Sequence, residues 1–354
     1  LRQLILETIP KSYNYYIRRK IWIIVLTVLA TFFLAVYAIN AGSAGLSVKD
    51  VMKTLIGQGE ERFRIIVWNI RMPRILSAMI AGIGLSVAGC VTQSILRNPL
   101  ASPFTLGISQ GAAFGAAVAI ILFGAGSTTN PDSVIINNPY LVVIFAFLGA
   151  MGSTLVVLML AKNFRVTPEA MVLAGVALGS LFSAITMILQ YFADDVKVAS
   201  IVFWTFGDLG RASWRDLTIM SVVVGISLAY FMLNRWNYNA LDSGEETAKG
   251  LGVEVEKTRF YGMFMSSLVA AVITSFVGII GFVGLVGPHI MRRLIGGDHR
   301  FLIPASSAIG ALILLASDTI GRTIISPVVL PVGAITSFLG APVFLYVLSR
   351  GYRR

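Results

Sequence analysis

"FYGMFMSSLVAAVITSFVGIIGFVGLVGPHIM", residues 260–291, runs 32 positions without a charge. A helix rises about 1.5 Å per residue, so about 20 residues cross a hydrocarbon core of about 30 Å. The run is long for one crossing, and its second half is interrupted by Gly278, Gly281, Gly284, Gly287 and Pro288. Charge decides between one span and two. A single span would carry Arg292, Arg293, Arg300, Arg350, Arg353 and Arg354 to the side opposite Arg18, Arg19 and Lys20, whereas two spans keep all of them together.

Other uncharged stretches lie at 21–40, 75–96, 100–130, 140–161, 170–193, 217–234, 301–317 and 323–349. With 260–291 read as a pair, the count is ten and both termini face the same side. Of the 28 Lys and Arg, 18 then fall on that side with 8 of the 17 acids, leaving 10 and 9 on the other. The positive-inside rule makes the richer side cytoplasmic. The reading is an all-α integral membrane protein of about ten transmembrane helices, a single domain over 1–354.

Composition agrees with this. The chain is 56% hydrophobic and 13% charged with a mean hydropathy of +0.82, against about 25% charged in soluble domains. The net charge of +11 is spread between apolar segments, which fits helix ends on one side and gives no reason to expect nucleic acid. The lone Cys90 excludes an intrachain disulfide and reads as a small packing residue, and His289 and His299 read as structural. Residues 21–40 exceed the usual signal-peptide core of about 7–15 residues, which favours a retained helix over a cleaved leader. The apolar piece 198–207 is too short to cross and is expected at the outer surface or partway into the bilayer.

Chemistry is sparse. There is no G-x-x-x-x-G-K-[ST], so the chain lacks the phosphate cradle of that motif. No charge falls near the middle of a span, and Asp318 and Arg322 sit at an outer end. That speaks against an ion-coupled transporter, which commonly relies on buried ionisable groups. The adjacent acid and base Asp298 and His299 are too little for a membrane-embedded catalytic site. Gly111 with Gly115, and Gly175 with Gly179, form GxxxG pairs that let helices approach closely.

Two stretches stand out. "NIRMPRILSAMIAG", 69–82, sets Arg71 and Arg74 three apart, on one face of a helix at the start of an apolar run. "RWNYNALDSGEETAKGLGVEVEKTR", 235–259, is the longest charged inward segment, either a solvated loop or a short amphipathic helix against a cytoplasmic partner.

Eight blocks follow in order: "RMPR" at 71–74, "RNPLASPFTLGISQGA" at 97–112, "MVLAGVALGSLFSA" at 171–184, "FWTFGDLGRASW" at 203–214, "GLGVEV" at 250–255, "GFVGLVGPHIMRRLIGGDHR" at 281–300, "DTIGR" at 318–322 and "LPVGAITSFLGAPVF" at 330–344. Together they resemble the FecCD family, membrane permeases of ATP-binding cassette (ABC) importers for iron chelates, haem and vitamin B12. The resemblance implies a BtuC-like permease fold of ten helices, a second permease subunit (identical or related), and two ATP-binding cassette ATPases that hold the ATP and Mg. It also implies an extracytoplasmic solute-binding protein, a place in the cytoplasmic membrane, and no cofactor or metal on this chain, which is then not an enzyme.

By the same resemblance, Arg71, Arg74 and Arg322 dock carboxylates of the binding protein. Arginine keeps its charge and pairs bidentately with carboxylates, and exposed pairs contribute about 0–1 kcal/mol each, so they set orientation more than affinity. Ala248, Leu251, Gly252 and Val253 correspond to the coupling loop, about 236–259, that sits in a groove of the ATPase. The implied path lies on the two-fold axis, lined mainly by 170–193. The expected cargo is a ferric siderophore, with cobalamin or haem as alternatives.

Overall fold

The computed structural model describes residues 2–42, 47–125, 138–164 and 167–351, and among them the regular structure is helical. The order is α1 (Arg2–Asn40), α2 (Val48–Leu55), α3 (Glu61–Arg64), α4 (Met72–Ile95), α5 (Ile108–Ile121), α6 (Pro139–Phe164), α7 (Pro168–Tyr191), α8 (Asp195–Thr205), α9 (Trp214–Leu233), α10 (Arg235–Asp242), α11 (Glu245–Gly250), α12 (Val255–Val277), α13 (Val283–Ile295), α14 (His299–Thr323) and α15 (Val332–Gly351).

Among the described residues seven helical stretches are long and apolar enough to cross a membrane: Tyr13–Asn40, Glu61–Ile95, Pro139–Phe164, Pro168–Tyr191, Trp214–Leu233, Val255–Val277 and His299–Thr323. The shorter apolar helices Ile108–Ile121 and Val332–Tyr346, with α13, complete a ten-helix set. The deciding stretch is therefore two helices. α12 ends at Gly278, whose φ of +79 turns the chain, and α13 begins after Phe282, itself at φ +66.

One expected span is shorter than its uncharged stretch. Among the described residues of that stretch, 100–125, the long helix is Ile108–Ile121, because a short turn at Pro103–Leu106 and the left-handed Gly107 come first. Gly107 is required there: besides its φ of +79, a Cβ would come within 2.7 Å of Ser153 Oγ and 2.9 Å of the Gly175 carbonyl. Residues 198–207 fall in and just after α8, a helix of 11 residues.

α4 is the axis of the bundle, packed against α9, α12, α13 and α14 and mostly buried. Apolar side chains gain little from meeting each other in lipid, so close packing holds membrane helices together. Glycines permit it. A Cβ on Gly82 would overlap the Gly310 carbonyl of α14, one on Gly89 the Gly284 carbonyl of α13, and one on Gly115 the Phe145 carbonyl of α6.

The bundle has two distinguishable ends. At the near end lie Lys20, Ser94, the paired helices α10 and α11, and the start of α14, with Lys20 over the Tyr16 and Phe301 rings at 4.3 and 5.1 Å. At the far end lie the C-terminus of α1, Arg71, Arg74 and the last turns of α14.

Candidate functional site

The far end is built on a proline. Pro73 has no N–H to donate and its ring crowds the carbonyl four residues back, and the preceding Ile65–Arg71 winds wider, with the Met72 N–H reaching the Val67 carbonyl five residues away. Arg71 and Arg74 leave this segment in different directions. Arg71 donates to the carbonyls of Ile39 and Asn40, the latter at 3.2 Å, at the C-terminus of α1. Those terminal carbonyls carry the negative end of the helix dipole, which favours a cation.

Arg322 reaches the same place from α14, donating to the Ala41 carbonyl at 3.1 Å. Its Nε donates to Asp318 Oδ2 at 2.9 Å, while Arg74 Nε donates to the other oxygen, Oδ1, at 2.8 Å. Asp318 is fully buried and serves both arginines. Arg74 also lies 3.8 Å from Asp208, and Arg211 lies 4.0 Å from the same half-exposed carboxylate. Within this cluster Arg71, Arg74, Arg211 and Arg322 face two aspartates, an excess of two positive charges.

The three predicted arginines thus converge, but they are not the projecting side chains that pricing them as exposed pairs assumes. Arg71 is 5% and Arg322 8% exposed, and the Arg74 side chain is 13% exposed. The reason is local: each meets an acceptor inside the chain, and an unpaired buried cation would be far costlier.

At the near end, α10 and α11 replace the loop alternative for 235–259 with two short helices. α10 is anchored by the fully buried Tyr238 and Leu241. Burial raises the carboxyl of Asp242, an effect partly offset by Arg292. Gly244, at φ +117, makes the elbow to α11. Glu245 opens α11 and pairs with Arg259 of α12 at 3.1 Å; burial opposes its ionisation, but the hydrogen bonds and charges of Arg259 and Lys249 together outweigh that and lower it.

The four residues expected in the coupling loop differ in setting. Ala248 is fully buried, whereas Leu251 is 70% exposed at the tip. Gly252, at φ +82, closes the helix: its N–H donates to the Lys249 carbonyl at 2.9 Å and the Val253 N–H to the Ala248 carbonyl at 3.0 Å. This crossed pair is the Schellman stop, which favours glycine. The result presents one large apolar side chain on a polar loop.

Along α7, Gly175, Gly179, Ser183 and Thr186 face Gln110 of α5 across narrow grooves of about 430 and 210 Å³, an uncharged strip with hydrogen-bonding groups. The opposite side carries exposed Leu173, Leu181 and Ile188. Among the described residues no three His, Cys, Asp or Glu converge to hold a metal ion.

Reasoning from sequence missed the partners of His299. It is fully buried, with Ser94 at 2.9 Å from Nε2 and Asn239 at 2.9 Å from Nδ1. The available signal was Asp298, His299 and Arg300 standing immediately before the uncharged run 301–317, where an aspartate caps a helix. Asp298 does cap α14.

Comparison with known proteins follows the same outline. Residues 28–350 match the FecCD transport family. An ABC transporter permease protein of Methanocaldococcus jannaschii is 55% identical, over 98% of this chain and 99% of that one. The Fe(3+)-citrate import system permease protein YfmE of Bacillus subtilis is 36% identical, over 89% and 91%. A solved structure, an inward-facing conformation of a metal-chelate type ABC transporter, superposes with a TM-score of 0.81 at 30% identity, covering 93% of this chain and 99% of that one.

Proposed function

The chain belongs to the FecCD transport family and is a multi-pass ABC importer permease, not a catalyst, and from that premise we propose that it imports a ferric siderophore by alternating access. ATP and Mg are held by two separate ATPase subunits, and the cargo arrives on a solute-binding protein outside the cell. A second permease subunit completes the path. The observation that carries the reading is the pairing of a cationic cluster at one end with an exposed Leu251 on a closed helical tip at the other.

The near end is cytoplasmic in this reading, since 18 of 28 Lys and Arg fall on its side. Leu251, Gly252 and Val253 enter the ATPase groove, with Ala248 supporting them from beneath. At the far end, the excess charge attracts carboxylates of the binding protein. Arg74 offers its partly exposed edge, and Arg71 and Arg322 hold the cluster in shape while contributing charge. The uncharged strip on α7 lines the path and suits release of a bulky chelate. No cofactor is required on this chain.

Ferric chelate is preferred because the relative and the solved structure above are named for ferric citrate and a metal chelate. Cobalamin and haem fit the same machinery. Purification in mild detergent with partners, followed by native mass spectrometry and an absorption spectrum, tests both levels. Two ATPase copies and a ferric-chelate band support the reading. A corrin or haem band replaces the cargo and leaves the machinery, and loss of any ATPase under conditions that keep a known ABC importer intact overturns it.

A further inference from the structure

The two ends share two helices. α4 and α14 are joined at the far end by Arg74 and Asp318, in the middle by the Gly82–Gly310 contact, and at the near end by Ser94 and His299, 2.9 Å apart. From His299 to Asp318 is about 28 Å of helix at about 1.5 Å per residue. Bonds at both termini and backbone contact between them leave this pair little freedom to slide or splay.

α10 meets the pair at His299, where the Tyr238 ring lies 5.7 Å from the imidazole, Asp242 Oδ2 lies 3.7 Å from Nδ1, and Asn239 makes the hydrogen bonds. Asn239 Oδ1 accepts from the His299 backbone N–H at 2.8 Å and lies 2.9 Å from His299 Nδ1, while its Nδ2 donates to Asp298 Oδ1 at 3.2 Å. The orientation of the amide is forced, because a backbone N–H can only donate and a carboxylate can only accept. Oδ1 must therefore face His299. His299 Nδ1 then carries the proton, and Nε2 is left to accept from Ser94 Oγ. The chain of bonds Asn239, His299, Ser94 runs from α10 through α14 to α4 with every donor and acceptor matched.

We propose that Asn239 and His299 form the joint by which the coupling segment grips the α4–α14 pair, making that pair the rod that links the ATPase side to the arginine cluster. Both are positioning residues. The proposal rests on the import reading, and it adds the residues through which the two partners sense one another. Coupling between two sites is reciprocal, so the same joint carries binding-protein docking inward and ATPase closure outward. The warrant is a contiguous set of bonds and backbone contacts.

The test uses the complete transporter reconstituted in liposomes with its ATPase and binding protein. Asn239→Leu keeps a side chain of four heavy atoms branched at Cγ and removes the three hydrogen bonds. The expected result is normal ATPase association and basal hydrolysis, at least a fivefold loss of stimulation by loaded binding protein, and more ATP consumed per cargo. His299→Asn retains a donor near the Nδ1 position and should keep most of the stimulation, whereas His299→Leu should lose it. The histidine pair decides the matter if Asn239→Leu does not assemble. Stimulation and ATP per cargo equal to the parent in Asn239→Leu or His299→Leu would overturn the proposal, as would equal loss in both histidine variants or a proportional fall in all activities. If the unmodified transporter shows no ATPase stimulation at all, the import reading itself fails, an outcome distinct from a failure of the joint.

Discussion

Asp318 of α14 gives one carboxylate oxygen to Arg74, 244 residues earlier in the chain, and the other to Arg322, one helical turn later, and it does so with no exposure to solvent. Two helices and the end of a third are held by a single acid.

Asp318→Asn should therefore be among the most damaging single changes. Removing one partner of a buried ionic network costs about 3–5 kcal/mol, because the remaining cations stay buried without compensation. The thermal midpoint of the detergent-solubilised permease is expected to fall well below that of Asp208→Asn, whose carboxylate is 44% exposed. Equal midpoints would mean that the cluster is not a structural tie.

The same geometry changes how docking should be probed. Reversing Arg71 and Arg74 together to glutamate would set acids against the α1 carbonyls and against Asp318, so assembly is expected to fail along with uptake. Arg74→Gln is the milder change. It should slow capture of the binding protein several-fold, more at low than at high salt, while the permease–ATPase complex remains intact; association kinetics at two ionic strengths read this directly.

Leu251→Glu is expected to abolish copurification of the ATPase without lowering permease yield, since the side chain it replaces is 70% exposed and touches little within the chain. Ala248→Leu should do the opposite, lowering stability by about 1–3 kcal/mol through overpacking at a fully buried site. Yield and pull-down measured on both variants separate surface from support.

Gly82→Ala and Gly310→Ala should each force α4 and α14 apart, because a Cβ on either would overlap the other's carbonyl. A loss of about 1–3 kcal/mol is expected, against almost none for Gly225→Ala, which has no neighbour within 4 Å. Thermal unfolding of the three variants side by side checks this.

Burial disfavours the charged form of Asp298, but hydrogen bonds from Arg300 and Asn239 prevail and hold its carboxyl down to about 2. The unfolded value is about 3.9. A depressed acid contributes stability above its unfolded pKa and loses it as pH falls through the folded one, here over about 4 to 2. Asp298→Asn, which keeps a helix cap, should be less stable than the parent by about 1–2 kcal/mol at pH 7, with the gap closing below pH 4; thermal melts across that range measure it.

Much of the architecture could be read from charge and length. The break in 260–291 was visible as a glycine run plus basic flanks, and α12 and α13 divide there. The short α5 was not visible, because an uncharged stretch looks the same whether it is helical or packed as an irregular turn, as around Gly107. The arginines were identifiable by motif, yet their burial depended on Asp318 and on carbonyls of α1, contacts that no local pattern encodes. Asn239 lay unnoticed in a mixed-charge segment for the same reason: its partner His299 is 60 residues away.

The most direct measurement is uptake of a radiolabelled ferric chelate into proteoliposomes holding this chain and its ATPase, with binding protein outside and ATP enclosed. The account predicts accumulation that needs both ATP and binding protein, ignores dissipation of proton and sodium gradients, and disappears in Leu251→Glu. Accumulation driven by an ion gradient with no ATPase present would contradict it.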